Sequence, residues 1–90
     1  MPSNPVRHDG DRFVLQTADG PAHLETHRDG PTVAFTHTFV PEGARGQDVG
    51  TALVRAGLDW ARAEGLRVVA QCPFVAAYVE DHPEAQDLLA

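Results

Sequence analysis

Thr32-Val-Ala-Phe-Thr-His-Thr-Phe-Val40, closed by Pro41, runs through the turn Glu42-Gly-Ala-Arg-Gly-Gln-Asp48 into Val49-Gly-Thr-Ala-Leu-Val-Arg-Ala-Gly-Leu-Asp-Trp-Ala-Arg-Ala-Glu64. Its reading decides the fold. The first segment is extended and apolar, the second is polar and glycine-bearing, and the third is the one long helical pattern in the chain. Strand, glycine turn and helix in that order leave backbone N–H groups uncovered at a helix start, where the partial positive charge suits a phosphate. Many crossovers share this pattern and bind nothing, so by itself it does not establish a site.

Working outward, Asp9-Gly10, Asp19-Gly20 and Asp29-Gly30 recur at even spacing upstream. Asp-Gly is a turn signal because glycine accepts positive φ and aspartate caps the bend. Between the turns, Arg12–Thr17 and Ala22–His27 alternate apolar and polar residues as half-buried strands do. The short connections predict an antiparallel meander with Thr32–Val40 as its third strand. Strict alternation along that strand puts Val33, Phe35, His37 and Phe39 on one face and Ala34, Thr36, Thr38 and Val40 on the other. In the helix, Val49, Leu53, Ala56, Trp60 and Ala63 form an apolar stripe widened by Leu58 and Ala61. Trp60 is thereby predicted against the sheet, and Thr51, Arg55, Asp59 and Arg62 outward or toward a ligand. Gly65 is the predicted C-cap.

Downstream, Leu66–Gln71 reads as a fourth strand, parallel to the third because a helix joins them. Cys72-Pro73 opens a second helix that His82-Pro83 ends, and Glu84–Leu89 adds a final helical turn. The expected fold is α+β: a four-stranded mixed sheet with two main helices in one domain over residues 1–90, with residues 1–10 frayed.

Composition narrows the function classes. Hydrophobic content of 42% and charged content of 22% indicate an ordinary globular chain, and a net charge of −6 argues against a nucleic-acid surface. All seven cationic residues are arginine, so no lysine is available for phosphate contact or as an acetyl acceptor. One cysteine cannot form an internal disulfide, and His8, His23, His27 and His82 lack metal-ligand spacing. With neither a signal peptide nor a long apolar span in the sequence, the expectation is a cytoplasmic protein without membrane contact, monomeric or a weak homodimer.

Phe35-Thr-His-Thr-Phe-Val-Pro41, Ala44-Arg-Gly-Gln-Asp-Val-Gly-Thr-Ala-Leu-Val54 and Cys72-Pro-Phe-Val-Ala-Ala-Tyr-Val-Glu-Asp-His-Pro83 together resemble the short stand-alone GNAT-like N-acetyltransferase domain, over about residues 12–89. The acetyl-CoA motif of that superfamily, Arg/Gln-x-x-Gly-x-Gly/Ala, corresponds here to Arg45-Gly46-Gln47-Asp48-Val49-Gly50. The resemblance implies acetyl-CoA as cofactor, with Arg45, Gly46, Gln47, Asp48, Val49 and Gly50, continued by Thr51, around the pyrophosphate. The pantetheine arm would lie near Val40, in a splay between the third and fourth strands. It implies acetyl transfer to an amine or protein acceptor that the sequence does not name. The N-terminal helices and C-terminal strands that build the acceptor cleft in full-length relatives are lacking, which leaves the acceptor side open.

Asp48 departs from the motif, standing where the family has its first glycine. A carboxylate about 6 Å from a pyrophosphate at an effective dielectric near 20 repels on the order of 2–3 kcal/mol per unit charge before screening. Asp48 therefore supports a second reading, a non-catalytic CoA-binding or protein-interaction module with a degenerate loop. The catalytic candidates are three. Tyr78 stands where many members carry the tyrosine that protonates the leaving thiolate, or is a half-buried core ring. Cys72, before a helix N-terminus, is a nucleophile or a small buried hydrophobe. His37 is a general base or, as its apolar strand face favours, a core histidine.

Overall fold

The computed structural model describes residues 6–90. Five strands make one sheet in the order β1 (Arg7–Asp9), β2 (Arg12–Thr17), β3 (Gly20–Asp29), β4 (Thr32–Phe39) and β5 (Arg67–Ala70). The first four form an antiparallel meander, and β5 lies parallel to β4 after the crossover helix α1 (Val49–Glu64). Helix α2 (Pro73–Asp81) follows, and then a 3-10 turn over Pro83–Leu88. The α+β fold and mixed sheet are as expected, with one strand more than predicted. Residues 1–5 of the segment expected to fray lie outside the described residues. Arg7–Asp9 instead pairs with β2 through the Asp9-Gly10 turn, with Arg7 opposite Val14 and Asp9 opposite Arg12. Three residues are too few to show a period, so β1 is invisible to a pattern search.

The core lies between one face of the sheet and the helices. Phe13, Leu15, Ala22, Leu24, Val33 and Phe35 supply the sheet side, and Leu53, Val54, Leu58, Ala61, Val75 and Val79 the helix side. The alternate sheet residues, among them Val14, His23, Glu25, Ala34 and Val69, are at most half-buried, and among the described residues no helix packs on that second face.

A β-bulge overturns the expected faces of β4. Phe35 pairs with Thr26, but His37 pairs with Glu25, so Thr36 is one residue extra in the ladder. An inserted residue breaks the period of two and flips every side chain after it. Val33 and Phe35 point into the core as expected. Beyond the bulge Thr38 takes the core side, and His37 and Phe39 emerge on the open face. His37 is therefore not a core histidine.

Helix α1 is rotated from the predicted stripe by roughly a quarter turn. Gly50, Leu53, Val54, Gly57, Leu58 and Ala61 are buried, whereas Ala56 and Trp60 are half-buried and Ala63 is exposed. The cause is Gly57: a Cβ there would stand 3.0 Å from Leu24 Cδ2 and 3.0 Å from Phe35 Cε2, so the bare backbone sits directly on the sheet. A stripe defined by large apolar residues cannot register a contact made by a glycine. Gly65 ends the helix as predicted, at φ 70°, its N–H bonded to the carbonyls of Ala61 and Arg62.

Trp60 packs at the rim instead of the centre, edge-on to Phe13 at 5.7 Å and to His8 at 4.8 Å between ring centroids. Trp60→Ala is accordingly expected to cost about 1–2 kcal/mol, less than a fully buried tryptophan would. A urea melt of the variant checks this, and a loss of roughly 4 kcal/mol or more, the range of buried large-to-small changes, would put the indole back inside the core.

Candidate functional site

The turn between β4 and α1 is built to leave backbone donors free. Pro41 opens a 3-10 turn at Glu42–Ala44, Gly46 follows at φ 84°, and Asp48 takes the N-cap position of α1 in the left-handed region at φ 61°. Asp48 is the sole non-glycine residue with positive φ among the described residues. Aspartate tolerates this conformation better than most residues, though at a cost of about 1 kcal/mol. Its side chain makes no capping hydrogen bond, so no side chain covers the first N–H groups of α1 from within the turn.

These donors face a cavity of about 400 Å³, lined by Thr38, Val40, Ala44, Arg45, Gly46, Asp48, Val49, Gly50, Thr51 and Phe74. The cavity thus gathers Val40, Arg45, Gly46, Asp48, Val49, Gly50 and Thr51 from the residues expected to hold a cofactor. Gln47 is not among them; its amide turns back toward the Gly43 carbonyl at 3.5 Å. Arg45 donates through Nε to the Val40 carbonyl at 3.1 Å, which ties the loop to the end of β4.

The expected splay is present. Pairing of β4 with β5 stops at Phe35 opposite Ala70, where the N–H groups of Gln71 and Cys72 both reach the Phe35 carbonyl. Beyond that point residues 36–39 of β4 stay bonded to β3 but have no β5 partner. Cys72 sits at the apex of this opening, 6% exposed, with its Sγ 3.4 Å from Thr38 Oγ1. Burial pushes the Cys72 thiol up. The Thr38 hydroxyl and the N–H groups of Val75, Phe74 and Thr38 outweigh it, so the net shift is downward. The N–H groups of Phe74 and Val75 belong to the first turn of α2 and favour a negative sulfur without closing a capping bond.

None of the three catalytic candidates lines the cavity: Cys72 touches its wall through Thr38, and the other two stand further apart. His37 is exposed on the open face opposite Glu25, and its ring lies 6.1 Å from that of His23. His23 is held by Glu25 Oε2 at 3.1 Å and lies 5.7 Å from the Phe39 ring. Tyr78 is one turn beyond Phe74 on α2 and lines a separate groove with Arg55, Leu58, Asp59 and Arg62. There the nearby Tyr78 hydroxyl holds the Arg55 guanidinium above its ordinary pKa, and the Tyr78 ring stacks on His82 at 3.8 Å. Of the helix residues expected to face a ligand, Thr51 lines the cavity. Arg55 is engaged by Tyr78, and Arg62 makes a two-pronged pair with Asp87 at 3.0 Å for each bond.

Sequence reasoning missed Thr38, Ala44 and Phe74 as cavity residues. Thr38 was hidden by the bulge, which no local pattern announces. Phe74 carried a readable signal, since it lies i−4 from Tyr78 and so shares its helix face. Among the described residues no group of three His, Cys, Asp or Glu side chains is placed for a metal, and no helix is long and apolar enough to cross a membrane.

Comparison with known proteins agrees with this architecture. The solution structure of a GCN5-like protein of Staphylococcus aureus superposes with a TM-score of 0.75 over 100% of this chain and 91% of that one, at 22% identity. That likeness is one of fold. Protein NATD1 of Danio rerio is 33% identical over 57 residues, 63% of this chain and 52% of that protein. The chain thus matches about half the length of this curated relative. Residues 12–88, from the start of β2 through the last helical turn, match the GCN5-related N-acetyl-transferase family. A match that spans the loop, the splay and α2 together leaves one conclusion: the chain belongs to the GCN5-related N-acetyl-transferase family.

Proposed function

We propose that the protein binds acetyl-CoA in the cavity between the β4–α1 loop and the strand splay, and transfers the acetyl group to an amine through Cys72. One observation carries the reading: the cavity at the start of α1, where no side chain caps the helix, is also lined by Thr38, whose hydroxyl lies 3.4 Å from the Cys72 sulfur. The residues fit the ligand. Backbone N–H groups of Val49, Gly50 and Thr51 would hold the pyrophosphate, and the unpaired edge of β4 beside Thr38 and Val40 offers peptide groups to the amides of the pantetheine arm.

Acetyl-CoA supplies an acyl group already activated as a thioester. The Cys72 thiolate takes the acetyl carbon as the CoA–sulfur bond breaks, and CoA leaves as its thiolate. The acceptor amine then attacks the acetylated Cys72, the acetyl–sulfur bond breaks to restore the cysteine thiolate, and the amine proton passes to solvent; His37, on the opposite face of the sheet, has no part in the step. The Thr38 hydroxyl, 3.4 Å from the sulfur, steadies the thiolate before and after transfer. Tyr78 has no part in this scheme, because its hydroxyl is engaged by Arg55 in a different groove. The acceptor is an amine on a small molecule or a protein. Acetyl-CoA pools are intracellular, and the cytoplasm is the compartment this reading assigns.

Asp48 favours a second reading, a CoA-binding module without turnover, because its carboxylate lines the same cavity. Titration calorimetry with CoA and acetyl-CoA, run beside a turnover assay over amines and peptides, separates the two: binding with no turnover selects the module. Asp48→Gly is expected to tighten CoA about three- to tenfold, the effect of one screened charge near 6 Å. Equal affinity of variant and wild type would place the carboxylate away from the pyrophosphate. No binding by either would remove the cofactor assignment.

A further inference from the structure

We infer that Phe74 is the residue that grips the pantetheine arm, and that Gly50 is a glycine in order to seat the Phe74 ring. The inference rests on CoA being the ligand of this cavity and adds which contact distinguishes CoA from its nucleotide half. Phe74 is 44% exposed, although its chain neighbours Cys72 and Val75 are buried at 6% and 0%. Its base is therefore anchored: Pro73 opens α2, and Val75 fixes the helix into the core. The ring is partly exposed and partly seated. It lies against the first turn of α1, where a Cβ built on Gly50 would come within 2.8 Å of its Cζ and 3.0 Å of its Cε2. A Cβ there would make the ring, whose far end is free to move, give up its seat on Gly50.

Gly50 is buried and Phe74 closes it off, so the absent side chain serves the ring and not a phosphate. Gly46 in the same loop behaves differently, since nothing lies within 4 Å of a Cβ there. The ring's exposed side lines the same opening as Thr38 and Val40. The ring lies against Gly50 at one side of the cavity, and Thr38, which contacts the Cys72 sulfur, lines the same cavity. A ligand running from the α1 N-terminus toward Thr38 has this aromatic surface in its cavity wall. The pantetheine arm, with its gem-dimethyl carbon and methylene groups, is apolar enough to cover an exposed phenyl ring, and the phosphates are not.

The test uses the full chain, CoA, and phospho-ADP, which is the nucleotide half of CoA without the arm. Phe74→Ala is expected to weaken CoA at least about tenfold and to leave phospho-ADP within about twofold. Phe74→Leu, which keeps apolar surface, should recover part of the CoA affinity. Because the ring is partly exposed, circular dichroism of both variants should match wild type. Gly50→Ala should lower the melting temperature in the wild-type background and be neutral or nearly so when combined with Phe74→Ala. Equal weakening of CoA and phospho-ADP by Phe74→Ala, or no weakening of either, overturns the inference while leaving CoA as the ligand. So does a Gly50→Ala penalty that persists without the ring. If the wild-type protein binds neither probe, the CoA reading itself fails and this inference goes with it.

Discussion

Cys72→Ala is expected to abolish the covalent adduct that the proposed route predicts for the wild-type protein on incubation with acetyl-CoA. Intact-mass measurement should find one acetyl group on the wild type, released by hydroxylamine as a thioester is, and none on the variant. The chain suits this test because it has no lysine, so no side-chain amine competes and the N-terminus is the one amine left. Turnover should fall by on the order of 10²–10⁴-fold, the range for losing a group that acts directly in the chemical step. The fold should survive, since replacing a thiol by hydrogen deletes one heavy atom and costs about 1 kcal/mol. The rate of adduct formation should rise with pH as the thiol ionises. Its midpoint should lie below that of an ordinary cysteine, because the hydrogen bonds from Thr38 and the start of α2 outweigh burial. Thr38→Val removes the hydroxyl and should move that midpoint upward. Cys72→Ala with full turnover would eliminate the covalent route and leave direct attack by the amine.

Gly57→Val is the substitution expected to damage the fold most for its size. Its backbone lies on Leu24 and Phe35, both fully buried, with contacts of 3.0–3.1 Å waiting for any Cβ. Neither neighbour has room to give, because each packs in turn against the rest of the core. Alanine would recover about 1 kcal/mol in helix propensity against its own crowding, so Gly57→Ala should be only mildly destabilised. Valine adds two further carbons and a stiff side chain, and should lose about 3 kcal/mol or more. A domain of this size loses about 4–8 °C in Tm per kcal/mol, so the fall should exceed roughly 12 °C. Ala63→Val, on the exposed side of the same helix, is the control and should stay within about 0.5 kcal/mol apart from propensity. A Gly57→Val variant melting with the wild type would show that α1 presents a different face to the sheet.

The parts legible from sequence were those written in contiguous residues. Asp-Gly pairs announced their turns, alternation announced β2 and β3, and Gly65 announced the end of α1. The loop from Arg45 to Thr51 was readable because strand, turn and helix follow one another directly, so the backbone donors at the helix start are a local consequence. Cys72 just before the N-terminus of α2 followed from Pro73 at its first turn.

What needed the tertiary structure was every decision made between elements. The bulge at Thr36 arises from the pairing of β4 with β3, and it alone moves His37 out of the core and Thr38 toward Cys72. The rotation of α1 arises because a helix with small apolar residues around much of its circumference can turn several faces to a sheet. Gly57 selects one by letting the backbones approach. The choice of Phe74 over Tyr78 as the α2 residue in the cavity depends on where α2 lies along α1, since both residues share a face one turn apart. Local propensity sets which elements exist. Their contacts, which are long-range in the chain and set by packing, decide which side chains meet.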